Sequence, residues 1–296
     1  MLTYRKKILL SFIEIFGGDL SATDLQKLLF LFEDSRIKKD YEFIPYKFGC
    51  FSLQVMYDKG SLIKDGFLKN DEKRWRISDS SKKIIDTLDI QDRFMLSKFK
   101  TKFADLRGDE LIKYVYKNYP YFAINSEIVG NLLTEQEQKI VFNFKPKQTT
   151  KELYTIGYEG ISLENYLNKL ISHNIKVLCD VRKNSYSHKY GFSKSQLQSA
   201  CEKVGINFIH IPDLGINSDK RISLETQADY EKLFSEYERT TLKTEKKQLD
   251  YLFELINNNN RIALTCFESS HKQCHRGRIA KALMNLPEWT IPIKHL

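Results

Sequence analysis

Residues 176–182 read KVLCDVR, an apolar run that ends on two opposite charges. A short continuous apolar stretch bounded by polar residues is the mark of a strand covered on both faces. Asp180 and Arg182, two positions apart, then leave the strand end on the same side. The pattern repeats outward. LYTIG (153–157), INFIHI (206–211), RIALTCF (261–267) and TIPI (290–293) read as further strands. Between them Leu163–Ile171, Ser193–Val204, two long helices within 226–257, and Gln273–Leu286 carry helical spacing, with Gly205 as a stop. Strands alternating with helices predict an α/β domain over 153–296, with a mostly parallel sheet and helices on both faces.

Polar residues end these apolar strands: Gly157-Tyr158-Glu159-Gly160, Asp180-Val181-Arg182, His210 and Cys266-Phe267-Glu268. Open parallel sheets bind ligands beyond the carboxyl ends of their strands. Cys274-His275-Arg276 opens the last long helix, where free N–H groups and the helix dipole suit an anion. Arg276 offers a bidentate donor for phosphate or carboxylate. A thiol at Cys274 in that field is expected to have a lowered pKa and to serve as a nucleophile. The joint expectation is an anion pocket built from Asp180, Arg182, Glu268, His275 and Arg276. Each residue also has a structural reading. Cys179 and Cys266 would be core, His210 would bond a neighbouring carbonyl, Asp180–Arg182 would be an ion pair that fixes the loop, and Cys274 would only pack. Cys266, Cys274 and His275 lack zinc-like spacing, so neither a metal nor another cofactor is expected.

The first 88 residues have a different pattern. MLTYRKKILLSFIEIF places Ile8, Phe12, Ile15 and Phe16 on one helical face, and Gly17-Gly18 end that helix. Ser11 and Glu14 interrupt the apolar run, so it is neither a signal peptide nor a membrane span. Ser21 caps a second helix carrying Leu25, Leu28, Leu29 and Phe32. Residues 41–50 alternate too loosely to assign. Ser52 caps a third helix to about Ile63. Gly66–Lys69 and Arg74–Ser78 form a hairpin around the turn at 70–73.

Three helices and a basic hairpin are in winged-helix order. The third helix would enter a DNA groove with Gln54, Tyr57, Lys59, Ser61 and Lys64. Lys69, Lys73, Arg74 and Arg76 would reach phosphates. A winged helix also serves as a protein-docking module. DLQKLLFLFED with PYKFGCFS faintly resembles the antitoxin-like module called Panacea, which implies action by protein contact.

Residues 89–143 read as a helical extension. Phe94, Leu96, Phe99 and Phe103 form one apolar face, and Leu111, Ile112, Val115 and Tyr116 form another, closed by Pro120. The aromatic cluster of Tyr114, Tyr116, Tyr119, Tyr121 and Phe122 suits helix packing or base stacking. Residues 144–152 are a polar linker.

The whole chain is consistent with two domains: 296 residues, 42% hydrophobic and 29% charged, exclude a disordered or collagen-like chain. The formal charge of +9 favours an anionic partner, but it spreads as +5 over 1–150 and +4 over the rest, with no dense basic arm. Five scattered cysteines with no two-residue gap argue against a disulfide framework and for a reducing cytoplasm.

In order, TIGYEG (155–160), CDVRKNSYS (179–187), GFSK (191–194), GINFIHIPDLGI (205–216), CFE (266–268) and CHR (274–276) resemble the uncharacterised family called domain of unknown function 488. The resemblance implies a compact α/β domain with enzymatic or nucleic-acid-linked roles. It points to Gly157, Asp180, Arg182, Ser187, Gly215, Arg221, Cys266, Glu268, Cys274, His275 and Arg276. One loop departs from the family pattern. Asn-Pro-x-Ser-Arg becomes Asn184-Ser185-Tyr186-Ser187-His188, which frees the loop and makes its charge pH-dependent.

The expected protein is cytoplasmic. It docks on DNA through its N-terminal part, and its C-terminal domain binds, and on one reading hydrolyses, a nucleotide or modified nucleic-acid group, as in defence against foreign DNA. Arg182 and Arg276 hold a phosphate, Asp180 or Glu268 acts as general acid or base, and His275 orients or relays a proton. Gly157, Tyr158, Glu159, Ser187, His188, His210 and Arg221 complete the substrate contacts. One alternative is a ligand-responsive winged-helix regulator. Another is a protein-interaction module of an antitoxin or defence complex.

Overall fold

Apolar strands joined by amphipathic helices can bury both faces of a sheet only if the helices cross over it, and the second half of the chain does this. The structure is a computed structural model that describes residues 2–78, 83–217, 219 and 225–296. It divides into two units, Met1–Lys145 and Pro146–Leu296. Arg221 and residues 79–82, near the end of the predicted winged-helix domain, lie outside the described residues.

In the N-terminal unit, α1 (Tyr4–Ile15) is followed by β1 (Asp19–Ser21) and α2 (Ala22–Asp34). Ser21 Oγ accepts the Asp24 N–H at 3.0 Å, as a capping serine should. α1 buries Ile8–Ile13 almost all round, whereas Ile15 and Phe16 stay half-exposed. The unassigned stretch 41–50 contains a tight antiparallel pair, β2 (Ile44–Tyr46) and β3 (Gly49–Phe51). α3 (Leu53–Lys64) starts on Ser52, whose hydroxyl accepts the Val55 N–H. β4 (Arg74–Arg76) pairs antiparallel with β1, and Leu68 bridges Ile77, so the predicted hairpin forms and also extends onto β1.

α4 (Ile90–Phe103), α5 (Gly108–Asn118), α6 (Val129–Leu132) and α7 (Glu135–Asn143) complete the unit. Leu96, Phe99 and Phe103 are buried but Phe94 is not, because it sits off their i, i+3, i+7 stripe. The aromatic cluster is packing: Phe30 meets Tyr119 and Phe122 edge-on, and Phe103 meets Tyr114.

The C-terminal unit contains β5 (Glu152–Gly157), α8 (Leu163–Ser172), β6 (Val177–Asp180), α9 (Lys194–Lys203) and β7 (Asn207–His210). Then come α10 (Gln227–Arg239), α11 (Thr241–Thr244), α12 (Lys246–Asn259), β8 (Arg261–Cys266), α13 (His275–Met284) and β9 (Ile293–His295). The last strand lies three residues later than TIPI suggests. The five strands form one parallel sheet in the order β7-β6-β8-β5-β9.

Leu153, Val177, Cys179, Ile262 and Leu264 meet Leu233, Leu252 and Ile279 of α10, α12 and α13 on one face. On the other, Tyr166 of α8 donates to Thr265 of β8 at 2.7 Å. From β5 the chain moves to β6 on one side, while from β8 it moves to β9 on the other. Such a reversal opens a crevice at the carboxyl ends of the central strands. Among the described residues, no helix is long and apolar enough to cross a membrane.

Candidate functional site

The crevice holds a cavity of about 380 Å³ lined by Tyr158, Arg182, Lys183, Asn184, Tyr186, Ser187, His188, Lys189, Ile216, Cys266, Phe267 and His275. Its wall comes from the residues just past β5, β6 and β8 and from the 183–189 loop. No carboxylate is among these lining residues, which include two lysines, an arginine and two histidines.

Arg182 is fixed first. It is 5% exposed, and Asp180 beside it is fully buried. Arg182 Nε donates to Asp180 Oδ1 at 2.8 Å and Nη2 to Oδ2 at 2.7 Å, a bidentate pair. Arg182 Nη1 donates to the Tyr158 hydroxyl at 2.6 Å. Burial works against the guanidinium charge, yet the Asp180 carboxylate raises its pKa above the ordinary value. Three acceptor atoms therefore orient the fork at the edge of the cavity.

Tyr158 is stacked on Phe192 with ring centroids 4.3 Å apart, and Phe267 meets it edge-on at 5.4 Å. Burial raises the Tyr158 pKa, with Arg182 opposing, so the hydroxyl stays protonated. Lys189 Nζ donates to the Tyr158 carbonyl at 2.6 Å, and burial lowers its pKa.

The 183–189 loop is pinned rather than free. Ser193 Oγ accepts from Ser187 N at 3.1 Å and donates to Ser187 O at 2.9 Å. Lys194 N donates to Ser185 O, and Tyr186 N to Asn184 Oδ1. Ser193 thus supplies order where the proline is missing. His188 is exposed and meets Tyr186 edge-on.

The opposite wall centres on His275. Its Nε2 donates to the Val181 carbonyl at 2.8 Å, which leaves Nδ1 to face Cys266 Sγ at 3.5 Å. The Cys266 thiol also donates to Glu268 Oε2 at 3.3 Å. Gly157 allows the 268 loop to approach: a Cβ there would lie 1.9 Å from the Glu268 carbonyl oxygen.

The cavity thus gathers Tyr158, Arg182, Ser187, His188 and His275 among the sequence-predicted residues, and several others take different places. Asp180 is corrected from acid/base to a positioning partner, since both its oxygens are taken by Arg182 and it is closed to solvent. Arg276 does not hold a phosphate: Nη1 donates to Glu268 O and Nη2 to Ser269 O, so it pins the loop after β8. Cys274 is not a ready nucleophile, because burial and its neighbour Cys266 push its thiol pKa well above the usual value. His210 Nε2 bonds the Arg182 carbonyl at 2.9 Å, outside the lining. Glu159 accepts from Ser269 N and Oγ and braces the same loop. Cys266 and Phe267, two residues and one residue before Glu268, lie where the strand-end rule points, whereas Tyr186 and Lys189 are lining residues that no motif singled out.

In the N-terminal unit, Lys59 is corrected from a groove contact. It is buried, donates to the carbonyls of Asp71 and Arg74 at 2.7 and 3.2 Å, and lies over the Trp75 ring. Arg74 and Arg76 both pair with Asp19, at 2.6 and 3.1 Å, which neutralises much of the hairpin charge. Gln54 donates to the buried Asp58. Tyr57, Lys64, Lys69 and Lys73 are exposed.

Residues 162–283 match the model of a family described as Domain of unknown function DUF488. No curated protein and no solved structure matches the chain.

Proposed function

We propose that the C-terminal unit binds a nucleotide, free or as an exposed group of a nucleic-acid strand, in the cavity at the carboxyl ends of β5, β6 and β8. The observation that carries this reading is the lining itself. Arg182, Lys183, Lys189 and His188 stand beside the aromatic rings of Tyr158, Tyr186 and Phe267, without a carboxylate among them. Cations suit the phosphate, and the rings suit a base. Tyr186 and Phe267 are 67% and 43% exposed, open enough to receive a flat partner. If turnover follows, Glu268 is the group beside the cavity that can move a proton.

The N-terminal unit would dock this pocket on DNA as a winged helix. The order α1-β1-α2-β2-β3-α3-β4 keeps the three helices and the hairpin in sequence, with the β2–β3 pair inserted before α3, and this order and the pairing of β1 with β4 support that assignment. The exposed Tyr57 and Lys64 on α3, with Lys69 and Lys73 on the hairpin, support the contact.

Calorimetric titration of the full chain with a nucleoside monophosphate, the matching nucleoside and inorganic phosphate tests the pocket. Saturable binding of the nucleotide, tighter than either fragment and weakened by Lys189→Ala and Tyr186→Ala, is expected. Equal or absent binding of all three would refute it. For DNA docking, anisotropy of a labelled duplex should fall steeply with salt and respond to Lys64→Ala and Lys69→Ala. Salt-independent binding, or none, would favour a protein-docking role.

A further inference from the structure

Cys266 at the end of β8 and Cys274-His275 at the start of α13 are separated in sequence by a loop, yet their sulfur and ring-nitrogen atoms all lie within 4.8 Å of one another. All three residues are buried. We propose that this Cys-Cys-His cluster binds a zinc-class divalent cation whose fourth position faces the cavity.

The donor set fits. Two thiolates balance the two positive charges, and the mixture of thiolate and imidazole suits zinc rather than magnesium or calcium. One donor spacing matches directly, and the rest of the cluster lies within 4.8 Å, close enough to contract onto an ion. Tetrahedral zinc, with bonds of roughly 2.3 Å to sulfur and 2.0–2.1 Å to nitrogen, separates those atoms by about 3.6 Å. Cys266 Sγ and His275 Nδ1 are 3.5 Å apart.

The surroundings add an independent argument. His275 Nε2 donates to the Val181 carbonyl at 2.8 Å, which holds the ring in the tautomer that presents Nδ1 as a lone pair. A backbone acceptor behind a ligating histidine is the usual outer support of a metal site. Val181 lies directly between the strand end Asp180 and Arg182, so the element that orients the guanidinium also orients the imidazole. Arg276 clamps the Glu268 and Ser269 carbonyls, which sets the loop that carries the chain from Cys266 to Cys274. Gly157 and Gly277 permit close backbone packing there: a Cβ on Gly277 would lie 2.3 Å from the His271 carbonyl oxygen.

Cys266 and His275 line the cavity, whereas Cys274 does not. An ion held by the three is therefore reached from the cavity side, where three protein ligands leave room for water or a ligand atom. Glu268 Oε2, 3.3 Å from Cys266 Sγ, stands next to that position. The inference does not depend on the nucleotide reading, since it concerns the floor of the cavity and not what enters it.

Cobalt(II) titration of metal-stripped full-length protein tests the site. Expected are the visible bands of tetrahedral cobalt with a thiolate charge-transfer band, saturating at one ion per chain and displaced by zinc. Cys266→Ser and Cys274→Ser should lose the charge-transfer intensity and weaken binding at least about tenfold, while Cys50→Ser and Cys201→Ser leave both unchanged. Absence of the bands in folded wild-type protein would overturn the proposal, as would equal spectra from the Cys266 and Cys274 variants. Should those variants not fold, zinc-edge X-ray absorption of the wild-type protein decides without substitution. Two sulfurs and one imidazole in the shell support the site; a shell of oxygen and nitrogen alone refutes it.

Discussion

Two arginines are buried at opposite ends of one sheet, and each faces a carboxylate. At the amino ends, Arg261 meets Glu152 at 2.9 Å, and further acceptors surround it: His173 O, Thr150 O, Thr150 Oγ1 and the Tyr154 hydroxyl. Lys294 closes the group by pairing with Glu152 at 2.6 Å. At the carboxyl ends, Arg182 meets, among the described residues, the two Asp180 oxygens and the Tyr158 hydroxyl, and it borders a cavity. A buried arginine–carboxylate pair is thus not by itself a site. Five acceptor atoms make a structural rivet, whereas three acceptors and an open side make a group with donor capacity left for a ligand.

The largest effect should come from breaking the pair at the carboxyl ends. Arg182→Ala leaves the buried Asp180 carboxylate without its cation and should lower unfolding free energy by about 3–5 kcal/mol in chemical denaturation, whereas Arg261→Ala leaves Glu152 paired with Lys294 and should cost less. The conservative variants then separate the two ends. Arg182→Lys should weaken nucleotide binding about tenfold or more by losing the planar fork, while Arg261→Lys should leave it nearly unchanged. Equal effects on binding would erase the distinction.

Gly157→Ala comes next. Its methyl group would overlap the Glu268 carbonyl, and the forced shift should cost about 1–3 kcal/mol. The melting temperature should drop, and the wall formed by Cys266 and Phe267 should move with it. Lys189→Ala should cost little stability but reduce nucleotide affinity about tenfold, near 1.4 kcal/mol. Unchanged affinity would remove Lys189 from the pocket's function.

The smallest effect concerns pH at the closed end. Burial opposes ionisation of Glu152, but Lys294, Tyr154 and Arg261 prevail and lower its pKa to about 2. A depressed carboxylate contributes stability that is present above the unfolded value near 4.5 and is lost as pH falls toward 2. With Lys294 exposed, screening leaves about 1 kcal/mol of this effect. Glu152→Gln should flatten the acid side of the stability profile between pH 5 and 2.5, and an unchanged slope would mean the network is idle.

The sheet was legible because apolar runs such as KVLCDV and RIALTCF allow little but buried strands, and the strand-end rule then located the crevice. Which charged side chains face the cavity was not legible. Asp180, Arg182 and Arg276 share one motif set, yet one is a counter-ion, one borders the cavity and one clamps a loop. That choice is made by backbone carbonyls at Glu268 and Ser269, which no residue type announces. Cys266 reads as an ordinary core thiol because burial and chemistry coincide there. Its neighbour His275 stands nine residues away, a gap that matches none of the usual metal-ligand spacings. In the N-terminal unit, helix periodicity located α2 and α3, but Lys59 read as a surface cation although its stem reaches carbonyls of the hairpin turn.

The most direct test is nitrogen-detected NMR of the arginine side chains in the full-length protein during titration with a nucleoside monophosphate. The Arg182 Nη resonances should shift saturably with the ligand while those of Arg261 stay in place. Identical shifts at both arginines, or none at Arg182 as ligand saturates, would contradict the assignment of the open end of the sheet as the binding site.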